Sequence, residues 1–394
     1  MAKKRANASP AKKNVPKAAA NGSAPKSAAA PVANGTARAS VPNGVPKTAA
    51  AAPTAAPPAA TGPAQSVTIR VPASTANLGA GFDTLGMALG LYLEVHATCV
   101  PISTPSLIVD NVEYAGNDPG TIPADPRANL ITATMLDMLG SQKVGKRVKV
   151  RVSNPIPLGR GLGSSGSAVV AGVVLANWVG ECGWSVQEIL EKVVAVEGHP
   201  DNVAPSLLGG MVAAYLTPKS VYAVNLPLDP SLRIFAAVPD YHVPTAAARA
   251  ALPATYTMPD IVHSLQRVAV LTAVLANPTA TQYRPGMTQE VFADLLDDVL
   301  HQPHRAHLLP GFESVRTALR AVPHVLGACV SGAGPTVLIL AVDGVDPKAV
   351  EKVVRGVYEA LPHPERPGKK VGVDVLPLDV VTGTEVVPLR EHLF

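Results

Sequence analysis

The sequence predicts an α+β fold, with helices covering one face of a mostly antiparallel sheet. Three observations lead there. Alternating, β-branched strand segments follow one another directly in several places, as in "MVAAYL" and "VYAVNL". Segments of helical periodicity lie between these pairs, without the strict β-α-β alternation of a parallel sheet. The chain beyond its first 65 residues is about 330 residues long, more than one ordinary core, so two subdomains are expected.

In chain order, "SVTIRVPA" (66–73) alternates and reads as a strand, followed by a loop punctuated by Gly79, Gly81 and Gly86. "LYLEVHATCV" (91–100) is a second strand, "ANLITATMLDML" (128–139) a helix, and "RVKVRVSNP" (147–155) a strand polar on one face. "SSGSAVVAGVVLANWV" (164–179) is apolar all round, which suits a buried helix. "SVQEILEKVVAVEG" carries a capping box, Ser185 with Glu188 three residues on. A helix beginning "DNVAPSLL" follows, with His199 or Asn202 as a candidate cap, and then strands "MVAAYL", "VYAVNL" and "LRIFAAVP". Residues 259–277 and 289–300 are expected to be helical. The final third reads helix ("FESVRTALRAV"), strand ("HVLGACVS"), strand ("PTVLILAV"), helix ("PKAVEKVVRGVYEAL") and strand ("VGVDVLPL").

Residues 1–65 differ in kind. They are nearly all Ala, Pro, Lys, Asn, Gly, Ser, Thr and Val, with no acidic residue before Asp83, and read as a disordered tail. The tail holds nine of the 33 basic residues; the 24 that remain face 29 acidic ones, a balance near −5. The basicity of the whole chain is therefore a tail property. A nucleic-acid-binding protein acting through that tail is the alternative of another class, but the acidic fold and 4% aromatic content give nucleic acid no surface there. The tail lacks an apolar secretory core, and no run of about 18 uncharged apolar residues spans a bilayer. Cys99, Cys182 and Cys329 have no C-x-x-C spacing and read as buried apolar residues of a cytoplasmic protein.

The stretch "NPIPLGRGLGSSGSAVVAG" (154–172) is a glycine loop opening a helix. Its "GLGSSG" satisfies a dinucleotide fingerprint formally, yet two prolines intervene after the strand and no acidic strand end follows. The Walker pattern is absent. Converging backbone N–H groups and a helix N-terminus still suit a phosphate, while close packing of helix on strand would explain the same glycines.

Read together, "PASTANLGAGFDTLGMAL" (72–89), "PLGRGLGSSGSAVVAG" (157–172) and "VSGAGPTVLIL" (330–340) resemble the three signature motifs of the GHMP small-molecule kinases, in that order. "EGHPDNVAPSLLGG" (197–210) resembles a block of those members that phosphorylate homoserine. One departure is Ala80, where family members usually carry proline. The resemblance implies a two-subdomain GHMP kinase fold, its N-terminal part (66–225) like ribosomal protein S5 domain 2 and its C-terminal part (226–394) ferredoxin-like. It further implies ATP-dependent phosphorylation of the side-chain hydroxyl of L-homoserine to O-phospho-L-homoserine, with Mg²⁺ as cofactor and a homodimer as the candidate assembly. Mevalonate or a related small alcohol is the alternative substrate.

On that resemblance the ATP phosphates fall to Pro157, Gly159, Arg160, Gly161, Leu162, Gly163, Ser164, Ser165, Gly166 and Ser167, and Mg²⁺ to Ser165 and Glu197. An amino-acid substrate needs acceptors for its ammonium and donors for its carboxylate. Asn77, Asp83, Asp201 and His199 are the expected acceptor side. Arg249 and Arg305 would take the carboxylate, with Thr245 one helical turn before Arg249. No dedicated strong base is implied; the γ-phosphate itself is the expected proton acceptor. "SGAGPT" (331–336) is expected to brace the phosphate loop.

Overall fold

The computed structural model describes residues 58–276 and 289–389. Most of the 1–65 tail, residue 277 of an expected helix, and the terminus from 390 lie outside the described residues. The chain opens with two long strands, β1 (Gln65–Ala76) and β2 (Leu85–Pro101), antiparallel over most of their length. The register shifts after Pro72, where β2 carries extra residues opposite. This irregularity lets β2 pair with different neighbours at its two ends.

Two short strands, β3 (Leu107–Val109) and β4 (Glu113–Gly116), then lead to α1 (Leu130–Leu139) and β5 (Lys146–Asn154). β5 buries Val148, Val150, Val152 and Asn154 and exposes the residues between, so the strand is polar on one face. Next come α2 (Ser164–Val179), α3 (Val186–Glu197) and α4 (Pro200–Leu208), and then the hairpin β6 (Met211–Leu216) and β7 (Val221–Leu226). α2 is buried almost throughout, as its apolar circumference requires.

The second half runs β8 (Leu232–Pro239), α5 (Thr245–Ala250), α6 (Met258–Ala276), α7 (Gln289–Leu295), α8 (Gln302–Arg305) and α9 (Phe312–Leu319). It continues with β9 (Val325–Val330), β10 (Val337–Val342), α10 (Pro347–Tyr358), β11 (Val373–Leu378) and β12 (Glu385–Leu389). The helix expected over 289–300 stops at Leu295, because Asp298 turns the chain by accepting the N–H groups of Leu300, His301 and Gln302.

An eight-stranded sheet carries the order β12-β1-β2-β5-β3, with β4 also on β5, β6 on β2 and β7 on β6. Only β3 and β4 pair in parallel. A four-stranded antiparallel sheet has the order β11-β8-β10-β9. Its central strands β8 and β10, and β9, are buried on both faces, while β11 is partly exposed. On β8, Ile234, Ala236 and Val238 join the core beneath the large sheet, while Phe235 and Ala237 join a second core with α9 and α10. β12 returns to pair with β1, so the last described strand completes the sheet that the first one begins.

The capping box on α3 is formed: Glu188 N–H donates to Ser185 Oγ, and Ser185 N–H donates to Glu188 Oε2 at 2.8 Å. Replacing Ser185 by Ala should lower stability by about 1 kcal/mol, read as an earlier midpoint in urea.

Candidate active site

The glycine loop leaves β5 at Asn154 and enters α2 at Gly163, a left-handed N-cap that supplies no side-chain cap. The carbonyls of residues 159–162 are taken by the surrounding protein. Gly159 O accepts from Val243 N–H at 3.3 Å, Arg160 O from Thr336 N–H at 3.3 Å, and Leu162 O from Ser74 N–H at 3.2 Å. Gly161 O accepts from Ser331 Oγ at 2.6 Å. In a trans peptide the carbonyl of one residue points opposite to the N–H of the next. The N–H groups of residues 160–163 therefore turn away from these partners. Among the described residues none of the N–H groups from 160 to 166 has a protein acceptor. The helix start adds the positive end of its dipole. Arg160 Nε is buried beside them, also without a partner. The free N–H groups leave the loop open to an anion, and its glycines also serve packing. A Cβ on Gly161 would collide with Ser331 O, and one on Gly163 with Ser74 Oγ.

The loop forms one wall of a cavity of about 440 Å³. At one end the lining is largely apolar, with Tyr114, Ile122, Pro123, Leu130 and Leu158. At the other end stand Asn77, Glu197, His199, Thr245, Arg249 and Arg305. Asn77 and Asp83 both adopt left-handed backbone conformations, φ 61° and 53°. Asn77 Nδ2 donates to Gly332 O at 3.0 Å and its Oδ1 accepts Asp83 N–H at 2.9 Å, joining the first glycine loop to the 331–336 turn. Asp83 makes a two-pronged pair with Arg249, at 2.7 and 3.1 Å, which raises the guanidinium pKa further.

Asp201 is buried, with one oxygen 2.6 Å from His199 Nδ1 and the other without a partner among the described residues. Burial works to lower the His199 pKa, but the hydrogen bond and charge of Asp201 outweigh it, and the net direction is up. Arg305, only 2% exposed, donates to Ala248 O and Gly332 O, both at 3.1 Å. No carboxylate pairs with it among the described residues. Burial, and then neighbouring Arg249, push its pKa down. Asp83, Asp298 and Asp201 act on this guanidinium only through space, so its donors keep capacity for a further acceptor.

Residues 129–210 match the GHMP kinases N terminal domain, and residues 288–363 the GHMP kinases C terminal. A homoserine kinase of Solibacter usitatus (strain Ellin6076) is 43% identical over 273 residues, covering 69% of this chain and 84% of that protein. The chain belongs to the homoserine kinases, within the GHMP kinases. The crystal structure of homoserine kinase from Cytophaga hutchinsonii ATCC 33406 superposes with a TM-score of 0.67 at 26% identity, covering 82% of this chain and 97% of that one. A crystal structure of mevalonate kinase has the same fold, at a TM-score of 0.54 and 13% identity, covering 80% and 99%.

Set against this homoserine kinase fold, most of the expected site residues converge on one cavity. Pro157, Gly159, Arg160, Gly161, Leu162, Gly163, Ser164 and Ser165 line it, and the Leu162 side chain is core. Ser164 Oγ accepts from Asn154 Nδ2, a residue the sequence reading did not single out. Ser167 does not reach the cavity: its hydroxyl is fully buried and donates to Pro72 O at 2.9 Å, strapping α2 to β1. Gly166 packs against Asn202. The capping role expected of His199 or Asn202 is absent. His199 is the N-cap of α4 without a side-chain cap bond, and Asn202 Oδ1 accepts from Ser74 Oγ. Phe82 and His301, which flank the arginines, were also missed, although His301 precedes Arg305 by one helical turn.

Ser165 is exposed on the first turn of α2, and Glu197 ends α3 facing the same cavity. Burial raises the Glu197 pKa above 4.5, reinforced by Asp201 and opposed by His199 and Arg249. The oxygens of Asp83 and Asp201 and a His199 nitrogen lie within 4.8 Å of one another, but Arg249 occupies Asp83, which disfavours a dication there.

Two outcomes follow from this geometry. Gly161→Ala, with φ +81° and Ser331 O in the way, should destabilise the fold by roughly 2 kcal/mol or more in urea unfolding. A carboxyl group whose folded pKa is raised contributes stability below its unfolded pKa and loses it as pH rises through the folded value. Glu197→Gln should therefore raise the melting temperature at neutral pH, with the difference from the parent chain closing below pH 4.5.

Proposed function

We propose that this chain transfers the γ-phosphoryl group of ATP to the side-chain hydroxyl of L-homoserine, giving O-phospho-L-homoserine, the step that commits carbon toward threonine. The observation that carries the substrate end is a pair of opposite charges within one site. Among the described residues, Arg305 is a buried cation paired with no carboxylate, and Asp201 keeps a buried carboxylate oxygen without a partner. A zwitterionic amino acid supplies both missing partners. Mevalonate, lacking an ammonium, would leave the acidic side unused.

In this reading the N–H groups of 160–166 bind and orient the phosphates, and the apolar end of the cavity takes the base. Arg249, Arg305 and Thr245 hold the carboxylate. Asp83, Asp201 and His199 take the ammonium and the hydroxyl end, while Asn77 fixes the loop that carries Asp83. Phosphoryl transfer rests on such positioning and charge placement more than on covalent help. No side chain is assigned as a strong base; the γ-phosphate takes the hydroxyl proton. Ser165 and Glu197 offer hard oxygen donors on facing helix ends, the donor set Mg²⁺ prefers. When bound there, Mg²⁺ supplies neutralisation of phosphate charge.

A coupled ADP-release assay offering L-homoserine, mevalonate and L-serine in parallel tests this. Turnover is expected with L-homoserine, and kcat/KM for the other two should fall by roughly a hundredfold or more, since the site's charges would go unpaired or misplaced. Turnover on mevalonate without homoserine would sink the substrate assignment and leave the fold family standing.

A further inference from the structure

Phe82 sits between the functional residues of the first glycine loop without a polar group of its own. Its ring lies within cation–π reach of both arginines, 5.5 Å from Arg249 Cζ and 5.2 Å from Arg305 Cζ. His301 stacks on the same ring, with centroids 5.4 Å apart and planes inclined by 29°.

His301 is fully buried, and its partners define its tautomer. Nε2 lies 2.8 Å from Gly79 O and must carry the hydrogen. Nδ1 lies 3.4 Å from Arg305 Nη1, and a guanidinium can only donate, so Nδ1 accepts. The ring is thus neutral, in keeping with the downward push of burial on its pKa. The Asp298 carboxylate fixes the backbone at this point through the N–H groups of His301 and Gln302.

The two guanidinium groups repel one another, and only Arg249 has a carboxylate partner. Ala248 O and Gly332 O hold Arg305 beside Arg249, and the Phe82 ring and His301 close around the same head group. We propose that Phe82 and His301 are positioning residues that hold the Arg249–Arg305 pair in place for the carboxylate of the substrate. The aromatic face offsets the repulsion with its quadrupole, and His301 ties the Arg305 head to the first glycine loop. Neither residue lines the cavity, so the brace acts on the carboxylate through the arginines. This rests on the homoserine reading above.

The test compares L-homoserine with 3-amino-1-propanol, which is homoserine without its carboxylate, for the full chain and for Phe82→Leu, Phe82→Tyr and His301→Gln. Phe82→Leu should raise KM for L-homoserine about tenfold, equivalent to about 1.4 kcal/mol, with kcat changed less than about threefold. On 3-amino-1-propanol its kcat/KM should stay within about twofold of the parent chain. Phe82→Tyr, which keeps the ring, should restore KM. His301→Gln should show the same selective loss; if it does not fold, the Phe82 pair decides. An equal loss on both substrates, or an unchanged KM for L-homoserine, overturns the proposal. If the parent chain does not discriminate between the two substrates, the carboxylate assignment fails and the brace with it. If it turns over mevalonate instead, the substrate reading fails first and the brace has nothing to serve.

Discussion

The site depends on where the carbonyls of residues 159–162 go. Ser74, Val243, and the Ser331 and Thr336 ends of one turn come from three different segments, and each engages one of these carbonyls. Had any of them faced the cavity, its lone pairs would repel a phosphate. Directed outward, they turn the following N–H groups inward, and the planarity of the peptide does the rest. The glycines allow both halves of this arrangement: left-handed backbone on the loop, and bare Cα atoms where the 331–336 turn and β1 press against it. The proposed phosphate binding and the close packing draw on the same residues, and the sequence alone leaves them as competing explanations.

The four-stranded sheet explains why the two halves of the chain act as one. With Leu338 and Leu340 in one core and Val337, Ile339 and Ala341 in the other, β10 is a shared wall. The turn that leads into it carries Ser331 and Gly332, which touch the phosphate loop, Asn77 and Arg305. The phosphate end and the substrate end are thus referred to one rigid strand pair.

Much of this was legible in the sequence because it is written in local periodicity. The long strands, the buried α2 and the capping box at Ser185 follow from spacing and residue type. What was missed depends on distant partners. β12 holds Pro388 and is a strand only because β1 lies beside it, more than 300 residues away in the chain. Ser167 follows Ser164 and Ser165 in a serine-rich motif, yet helix rotation turns it inward onto Pro72. Phe82 and His301 belong to no polar pattern; only the fold brings their rings together with two arginines. Asn154 was read as the end of a strand, and its role in tying Ser164 needed the loop's path.

The Asp83–Arg249 pair has a further consequence. Asp83 and Arg249, proposed for an ammonium and a carboxylate, satisfy one another in the fold. A ligand that enters must exchange with them. A zwitterion can replace both partners at once, so the swap is close to even. A ligand with a single charge would free one member of the pair and leave the other stranded in a half-buried pocket. Selectivity of this kind resides in a bond that the bound ligand must interrupt, so it rejects singly charged molecules before any contact with them is optimised.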